Sequence, residues 1–122
     1  MRTILTVDDS TSMRQMVRAT LQSAGYGVVE AADGQEALEF ARGNLVDLVI
    51  SDVNMPRMDG IRLVQELRAL PGYRLTPLLL LTTESSHEKK QEGKLAGATG
   101  WIVKPFNPAQ LLATLTRLFG GK

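Results

Sequence analysis

Four apolar segments of this 122-residue chain end in side chains that can do polar chemistry. These side chains are an acidic pair, a single aspartate, a threonine and a lysine: Asp8 with Asp9, Asp52, Thr82 and Lys104. An aspartate at such a position usually caps a helix or forms a turn, and this alternative applies to Asp9. Four such positions form a stronger signal, because the carboxyl ends of parallel strands meet at one edge of a sheet.

The charges indicate what the group can do. Three carboxylates held close together repel, so either one of them keeps a proton or a cation joins them. The chain has no cysteine and one histidine, His87 in a polar stretch, so the ligands are oxygens, which favour a hard ion such as Mg²⁺. A metal, the Lys104 ammonium and the Thr82 hydroxyl together suit a phosphoryl group. Asp52 is the predicted nucleophile, because the adjacent Asp8 and Asp9 are better suited to hold the metal.

Short apolar runs alternate with amphipathic stretches along the whole chain. The runs predict strands at residues 3–7, 27–31, 46–51, 77–82 and 99–104. The first helix is capped by Ser10 or Thr11, and its predicted inner face includes Met13, Met16, Val17 and Leu21. Asp33 and Asn107 cap the second and the last helix, the third resumes near residue 58, and a polar fourth helix covers residues 85–95.

Five such units predict an α/β fold, a doubly wound five-stranded parallel sheet with five helices on both faces. The length is that of one domain, which we expect to span residues 1–122. A net charge of +1 gives no electrostatic argument for nucleic acid, so none is expected as a partner. The longest apolar run, residues 78–81, is too short to span a bilayer. No signal peptide is recognisable, and we expect a cytoplasmic protein that does not engage a membrane.

Four segments of this sequence have the motifs of a known family. They are Val-Asp-Asp-Ser at 7–10, Ser-Asp-Val-Asn-Met-Pro-Arg-Met-Asp-Gly at 51–60, Leu-Thr-Thr at 81–83 and Val-Lys-Pro-Phe at 103–106. Together they resemble the receiver domains of two-component response regulators, and most of all the stand-alone chemotaxis receivers of the CheY type. The resemblance covers essentially the whole chain. It implies a flavodoxin/CheY-like sheet of order 2-1-3-4-5 and no attached output domain.

The resemblance also implies a role for each matching residue. Asp52 would accept the phosphoryl group, and Mg²⁺ would be held by four ligands: Asp8, Asp9, Asp52 and the main-chain carbonyl of Asn54. Thr82 and Lys104 would contact the phosphoryl group, and the Lys104–Pro105 peptide would be cis. Trp101 would be the switch aromatic that turns inward, although an aromatic covering the sheet edge is the alternative interpretation. Asn54 and Glu84 resemble positions that tune self-dephosphorylation in the family; the alternative is that they are simply solvated loop residues.

By the same resemblance the chain is a monomeric signalling protein and not an enzyme, apart from Mg²⁺-dependent self-phosphorylation from small donors and self-dephosphorylation. Its donor would be a sensor histidine kinase of the CheA type. Its output partner, on the face formed by the fourth helix, fifth strand and fifth helix, would be a flagellar motor switch protein. Alternatives are a phosphate sink or relay receiver in another two-component pathway, a Mg²⁺-dependent phosphohydrolase, or a scaffold. The sequence offers no general acid or lid for a hydrolase, and a scaffold would lack part of the acidic pair, Asp52, Thr82 or Lys104.

Overall fold

The computed structural model describes residues 2–83 and 87–120, and these form five strands and five α-helices that alternate along the chain. The strands are β1 (Thr3–Val7), β2 (Gly27–Ala31), β3 (Leu48–Asp52), β4 (Leu78–Thr82) and β5 (Gly100–Val103). The helices are α1 (Thr11–Ser23), α2 (Gly34–Gly43), α3 (Gly60–Arg68), α4 (His87–Ala96) and α5 (Pro108–Leu118). A 3₁₀ turn, Pro71–Tyr73, follows α3 and was not predicted.

The strands form one parallel sheet in the order β2-β1-β3-β4-β5, which confirms the predicted doubly wound α/β fold. Val7 pairs with Ala31 on one side and with Ser51 on the other, so the carboxyl ends of the three strands align. The chain leaves β1 and β3 toward opposite sides of the sheet, and the neighbouring ends of these two strands form the crevice in which such folds bind ligands.

The core consists of two apolar layers, one on each face of the sheet. The four leucines of residues 78–81 show how a strand supplies both: Leu78 and Leu80 pack on one side, Leu79 and Leu81 on the other. The first layer lies beneath α2 and α3, and the second beneath α1 and α5. A run that is apolar at every position is therefore a central strand buried on both faces, as predicted.

Side-chain caps fix where several helices begin. Ser10 Oγ accepts from Met13 N at 3.2 Å, Asp33 Oδ1 from Glu36 N at 2.8 Å, and Asn107 Oδ1 from Gln110 N at 3.2 Å. These three caps are as predicted. The cap of α3 is Asp59, whose Oδ1 accepts from Arg62 N at 2.7 Å, so this helix begins at Gly60 instead of near residue 58.

Some boundaries differ from the predicted ones. β3 begins at Leu48 and includes Asp52. Two hydrogen bonds join the preceding residue, Asp47, to the first residue of β1: Asp47 N donates to Thr3 O at 2.8 Å, and Thr3 N donates to Asp47 Oδ2 at 2.7 Å. β5 ends at Val103, so Lys104 follows the strand instead of closing it. α4 is described from His87, and residues 85 and 86, where it was predicted to begin, lie outside the described part.

The expectation that Met16 packs in the core is wrong, because its exposed fraction is 55%. Val17 and Leu21 are buried, and Met13 packs against the same layer. Residues four apart in a helix form one stripe, and Met16 lies about 100° from the middle of that stripe. No helix in residues 2–83 and 87–120 is long and apolar enough to cross a membrane.

Candidate functional site

Three carboxylates meet at the carboxyl ends of β1 and β3. Asp8 and Asp9 directly follow β1, and Asp52 is the last residue of β3. One oxygen from each of the three side chains lies within 4.8 Å of the others. Asp8 and Asp52 are only 3% and 7% exposed, whereas Asp9 is exposed. The arrangement is two buried acidic groups with a third at the mouth of the crevice.

Lys104 lies between the two buried carboxylates. Its Nζ atom is 3.2 Å from Asp8 Oδ2 and 3.2 Å from Asp52 Oδ1. The main chain of the lysine is fixed by its N–H, which donates to Thr82 O at 2.7 Å, and the peptide bond to Pro105 is cis. Three carboxylates and one ammonium give the cluster a formal net charge of −2. One divalent cation would neutralise this charge.

The pKa of the Asp52 carboxyl is raised above its ordinary value. Burial is the main cause, since it disfavours the charged form, and the neighbouring Asp8 carboxylate acts in the same direction. The Lys104 ammonium opposes both, by its charge and by its hydrogen bond. A cation entering the cluster would favour the ionised carboxylate, which is the nucleophilic form.

Asp8 is held by its own loop and by α1. Ser10 N donates to Asp8 Oδ1 at 2.9 Å, and the Arg14 guanidinium donates to the carbonyl oxygen of Asp8. Arg14 is in turn paired with Glu30 on β2, with its Nε 3.3 Å from Glu30 Oε1. Sequence reasoning missed Arg14. Its one signal is a basic residue in the first turn of the helix that follows the acidic pair.

Thr82 is fully buried at the end of β4, where it pairs with Val103 in the ladder. Its neighbour Leu81 pairs with Asp52 across β3 and β4. Thr82 is therefore one residue further toward the crevice than the partner of the central aspartate. Its hydroxyl comes from the same strand ends that supply Asp52 and, through β5, Lys104.

The loop after Asp52 closes on itself before α3 begins. Gly60 N donates to Val53 O at 2.8 Å, and Gly60 lies so close to Asp52 that an added Cβ would be 2.2 Å from the Asp52 carbonyl oxygen. Only glycine fits there. Asn54 is exposed within this loop. Glu84, the second residue proposed to tune dephosphorylation, lies outside the described residues.

Trp101 is on the edge strand β5 and is partly buried against the layer beneath α2 and α3. In the described part of the chain its buried Nε1 has no hydrogen-bond partner. Its ring lies over Gly93 of α4, where an added Cβ would be 2.7 Å from Trp101 Cζ3. Cavities of about 420 Å³ beside α5 and about 260 Å³ beside α4 both include Trp101 in their walls. Trp101 therefore packs on α4 and also borders two cavities on a face made of α4, β5 and α5.

Comparison with known families gives a match over nearly the whole chain. The model that describes the response regulator receiver domain matches residues 4–116. The chain is 39% identical to the chemotaxis protein CheY-3 of Vibrio cholerae serotype O1 over 117 residues, which are 95% of this chain and 90% of that protein.

Solved structures give the same result. The chemotaxis response regulator CheY4 of Vibrio cholerae superimposes with a TM-score of 0.93 at 59% identity, covering 97% of this chain and 98% of that one. The receiver domain of the sensor histidine kinase PA1611 from Pseudomonas aeruginosa PAO1 superimposes with a TM-score of 0.91 at 31% identity, covering 98% of each chain. That structure has a magnesium ion coordinated in its active site cleft.

Proposed function

The chain belongs to the response regulator receiver domain family, whose members are signalling proteins rather than classical enzymes, and we propose that it is a switch with Asp52 as its phosphoryl acceptor. The observation that carries this proposal is the position of the Asp52 carboxylate. It is nearly buried at a strand end, beside an acidic pair, and Lys104 Nζ lies 3.2 Å away. Asp8 shares the burial and the contact with Lys104, but it belongs to the adjacent pair after β1, whereas Asp52 is the single carboxylate at the end of β3.

The donor set suits Mg²⁺. Asp8, Asp9 and Asp52 offer only oxygen, their oxygens are close enough to share one ion, and the cluster has a negative excess. We assign these three residues and the Asn54 carbonyl as ligands. The bound ion would supply positive charge for the oxygens of a phosphoryl group. The magnesium in the PA1611 receiver supports this assignment.

The transfer step requires an oxygen nucleophile and a good leaving group. A carboxylate oxygen of Asp52 attacks the phosphorus of a phosphohistidine, a P–O bond forms, and the P–N bond breaks. The imidazole leaves with the electron pair of that bond. Lys104, which bridges two carboxylates in this structure, pairs with the phosphoryl oxygens, and Thr82 donates its hydroxyl to them. Attack of water on phosphorus later returns the Asp52 carboxylate and releases phosphate.

The signal then has to reach a partner. Thr82 moves toward the phosphoryl group, Trp101 turns inward, and the surface of α4, β5 and α5 changes. Thr82 and Trp101 are on adjacent paired strands, and two cavities border Trp101. The energetic basis is a two-state equilibrium biased by contacts that only the phosphorylated form makes.

The likeness to CheY4 and CheY-3 supports a role in chemotaxis. We propose that residues 1–122 act as a single receiver domain in the cytoplasm, as a monomer. The donor is a sensor histidine kinase of the CheA type, and the output partner on the α4, β5 and α5 face is a flagellar motor switch protein.

Intact-mass analysis tests the acceptor. The chain is incubated with a small acyl phosphate and Mg²⁺, and we expect a mass gain of one phosphoryl group that is absent with a chelator and in Asp52→Asn. Asp59→Asn is the matched control, because it removes a nearby carboxylate and asparagine still caps α3. Full modification of Asp52→Asn would contradict the proposal.

A binding assay tests the output. A fluorescent peptide from a motor switch protein is titrated with the chain in the presence and absence of beryllofluoride and Mg²⁺. We expect tighter binding in their presence. Phosphorylation without any change in binding would instead favour the phosphate sink or relay function.

A further inference from the structure

The turn at residues 56–58 has an unusual backbone. Arg57 has a φ of +67°, and within residues 2–83 and 87–120 it is the one non-glycine residue with a positive φ. Met58 N donates to Pro56 O at 2.7 Å, a hydrogen bond between residues two apart. A tight turn of this type with a positive φ at its centre is rare and strained. Such strain persists only where surrounding contacts hold it.

One contact that holds this turn is an ion pair with α2. The Arg57 guanidinium donates to Asp33 Oδ2. The arginine side chain is 72% exposed, whereas the aspartate side chain is 8% exposed. The Asp33 side chain is fixed in place, because its other oxygen, Oδ1, accepts from Glu36 N and caps α2. The pair therefore ties the loop to a fixed point.

A second contact lies beside the first. Gly34, the first residue of α2, approaches Met58 so closely that an added Cβ would be 2.8 Å from Met58 O. The loop backbone rests directly on the beginning of the helix. The loop after Asp52 is therefore held at two places. The contacts with α2 hold residues 57 and 58, and the hydrogen bond from Gly60 N to Val53 O joins its two ends.

We propose that Arg57 is a positioning residue that sets the affinity for Mg²⁺. Through Asp33 it keeps the loop in the conformation that presents the Asn54 carbonyl, three residues earlier in the chain, to the metal. This inference rests on the proposed metal site and adds a residue that does not touch the ion. The competing view is that the pair is an ordinary surface ion pair, which contributes little.

The sign of the effect separates the two views. Arg57 is positive, so its removal should strengthen cation binding if only its charge acts on the acidic cluster. If Arg57 positions the loop, its removal weakens binding. Asparagine is the informative replacement, because it tolerates a positive φ and cannot form the ion pair. For Arg57→Asn we expect the Mg²⁺ dissociation constant to rise about two- to fivefold, which is the range that a pair with one exposed partner can supply.

Two further variants make the test specific. Asp33→Asn keeps the helix cap and removes the charge, and it should weaken binding by a similar factor. The double variant should bind no more weakly than the weaker single one, because the residues act as one unit. Arg62→Asn is the matched control. It removes an exposed positive charge that is paired with Glu66 on α3 and lies outside the turn, so it should leave the affinity unchanged or slightly stronger.

The measurement is calorimetric titration with Mg²⁺ alone, at a temperature well below the unfolding midpoint of every variant. Weaker binding in Arg57→Asn and Asp33→Asn, with no loss in Arg62→Asn, supports the positioning role. Unchanged or tighter binding in Arg57→Asn overturns it while leaving the metal site intact. A native chain that takes up no Mg²⁺ would overturn the metal site and the inference together.

Discussion

Lys104 Nζ lies 3.2 Å from Asp52 Oδ1, so the proposed phosphoryl acceptor is paired with a cation before any metal or phosphoryl group arrives. The same nitrogen is 3.2 Å from Asp8 Oδ2. The lysine therefore offsets part of the repulsion between two carboxylates that are nearly buried. This contact reduces the electrostatic cost of the cluster when no metal is bound. It also holds the Lys104 ammonium beside Asp52, where it would contact a phosphoryl group.

Replacing Lys104 by Met should destabilise the metal-free chain. The change leaves two buried carboxylates without their shared partner, and we expect a loss of about 3 kcal/mol in the free energy of unfolding at neutral pH. Mg²⁺ should restore more stability to this variant than to the native chain, because it replaces the missing charge. Urea unfolding with a chelator and with Mg²⁺ measures both effects. Lys94→Met, at an exposed position of α4, is the control and should change stability little.

Replacing Gly93 by Ala should destabilise the chain although alanine is the better helix former. In an open helix the change would stabilise by about 1 kcal/mol, but here the new Cβ would lie 2.7 Å from Trp101 Cζ3 and 2.9 Å from Leu80 Cδ1. We expect a net loss of about 1–2 kcal/mol and a shifted emission of Trp101, the single tryptophan.

A second background isolates this contact. In Trp101→Val the ring is gone, so the part of the cost of Gly93→Ala that comes from the ring should disappear, and the contact with Leu80 Cδ1 remains. Urea unfolding of the four chains gives the coupling between the two positions. A Gly93→Ala chain more stable than the native one would show that the packing of the Trp101 ring on α4 does not require glycine at position 93.

The strand pattern made much of the site predictable. Asp8, Asp52 and Thr82 each end an apolar run, and parallel strands bring such ends together whatever the loops do. Lys104 followed from the same logic, although the strand ends one residue before it.

The contacts that hold the site could not be predicted in this way. Arg14 reaches a main-chain oxygen of Asp8, and Arg57 reaches across 24 residues to Asp33. No periodic pattern in the sequence indicates either contact, because each depends on how a loop packs against a helix. The fit of Gly93 to Trp101 was likewise hidden, since it requires the packing of α4 on β5.

Asp33 should make stability depend on pH in the acidic range. Its pKa is lowered from the ordinary value of 3.8, chiefly by the hydrogen bond from Glu36 N and further by Arg57, while burial acts in the opposite direction. A carboxyl with a lowered pKa in the folded state stabilises the fold above 3.8 and loses that contribution as pH falls through the lower value.

Asp33→Asn should therefore show a flatter dependence of unfolding free energy on pH below about 5. The measurement is urea unfolding at a series of pH values with a chelator present. Asp59→Asn, which alters an exposed cap of another helix, is the comparison. An equally steep acid dependence in Asp33→Asn would contradict the assignment.

Arg68, at the end of α3, joins two loops at the opposite end of the sheet from the carboxylates. They are the connection from α3 to β4, residues 69–77, and the connection from α4 to β5, residues 97–99. The Arg68 guanidinium donates to the carbonyl oxygens of Tyr73 at 2.6 Å, Thr76 at 2.8 Å and Gly97 at 3.0 Å. These three partners are main-chain oxygens and not carboxylates, and burial lowers the pKa of the Arg68 guanidinium. Arginine suits this position because its donors diverge in a fixed plane.

Arg68→Met should lower the free energy of unfolding by about 2–4 kcal/mol, because it leaves several carbonyl oxygens without donors. Arg68→Lys should recover only part of this loss, since one ammonium cannot reach the carbonyl oxygens of both loops. Phosphorylation of Asp52 should persist in both variants below their unfolding midpoints, because the two loops lie away from the acidic cluster. Arg62→Met, which removes an exposed pair on the same helix, should cost less than about 0.5 kcal/mol. Similar losses for Arg62→Met and Arg68→Met in urea unfolding would mean that the hydrogen bonds of Arg68 contribute no more than a surface charge does.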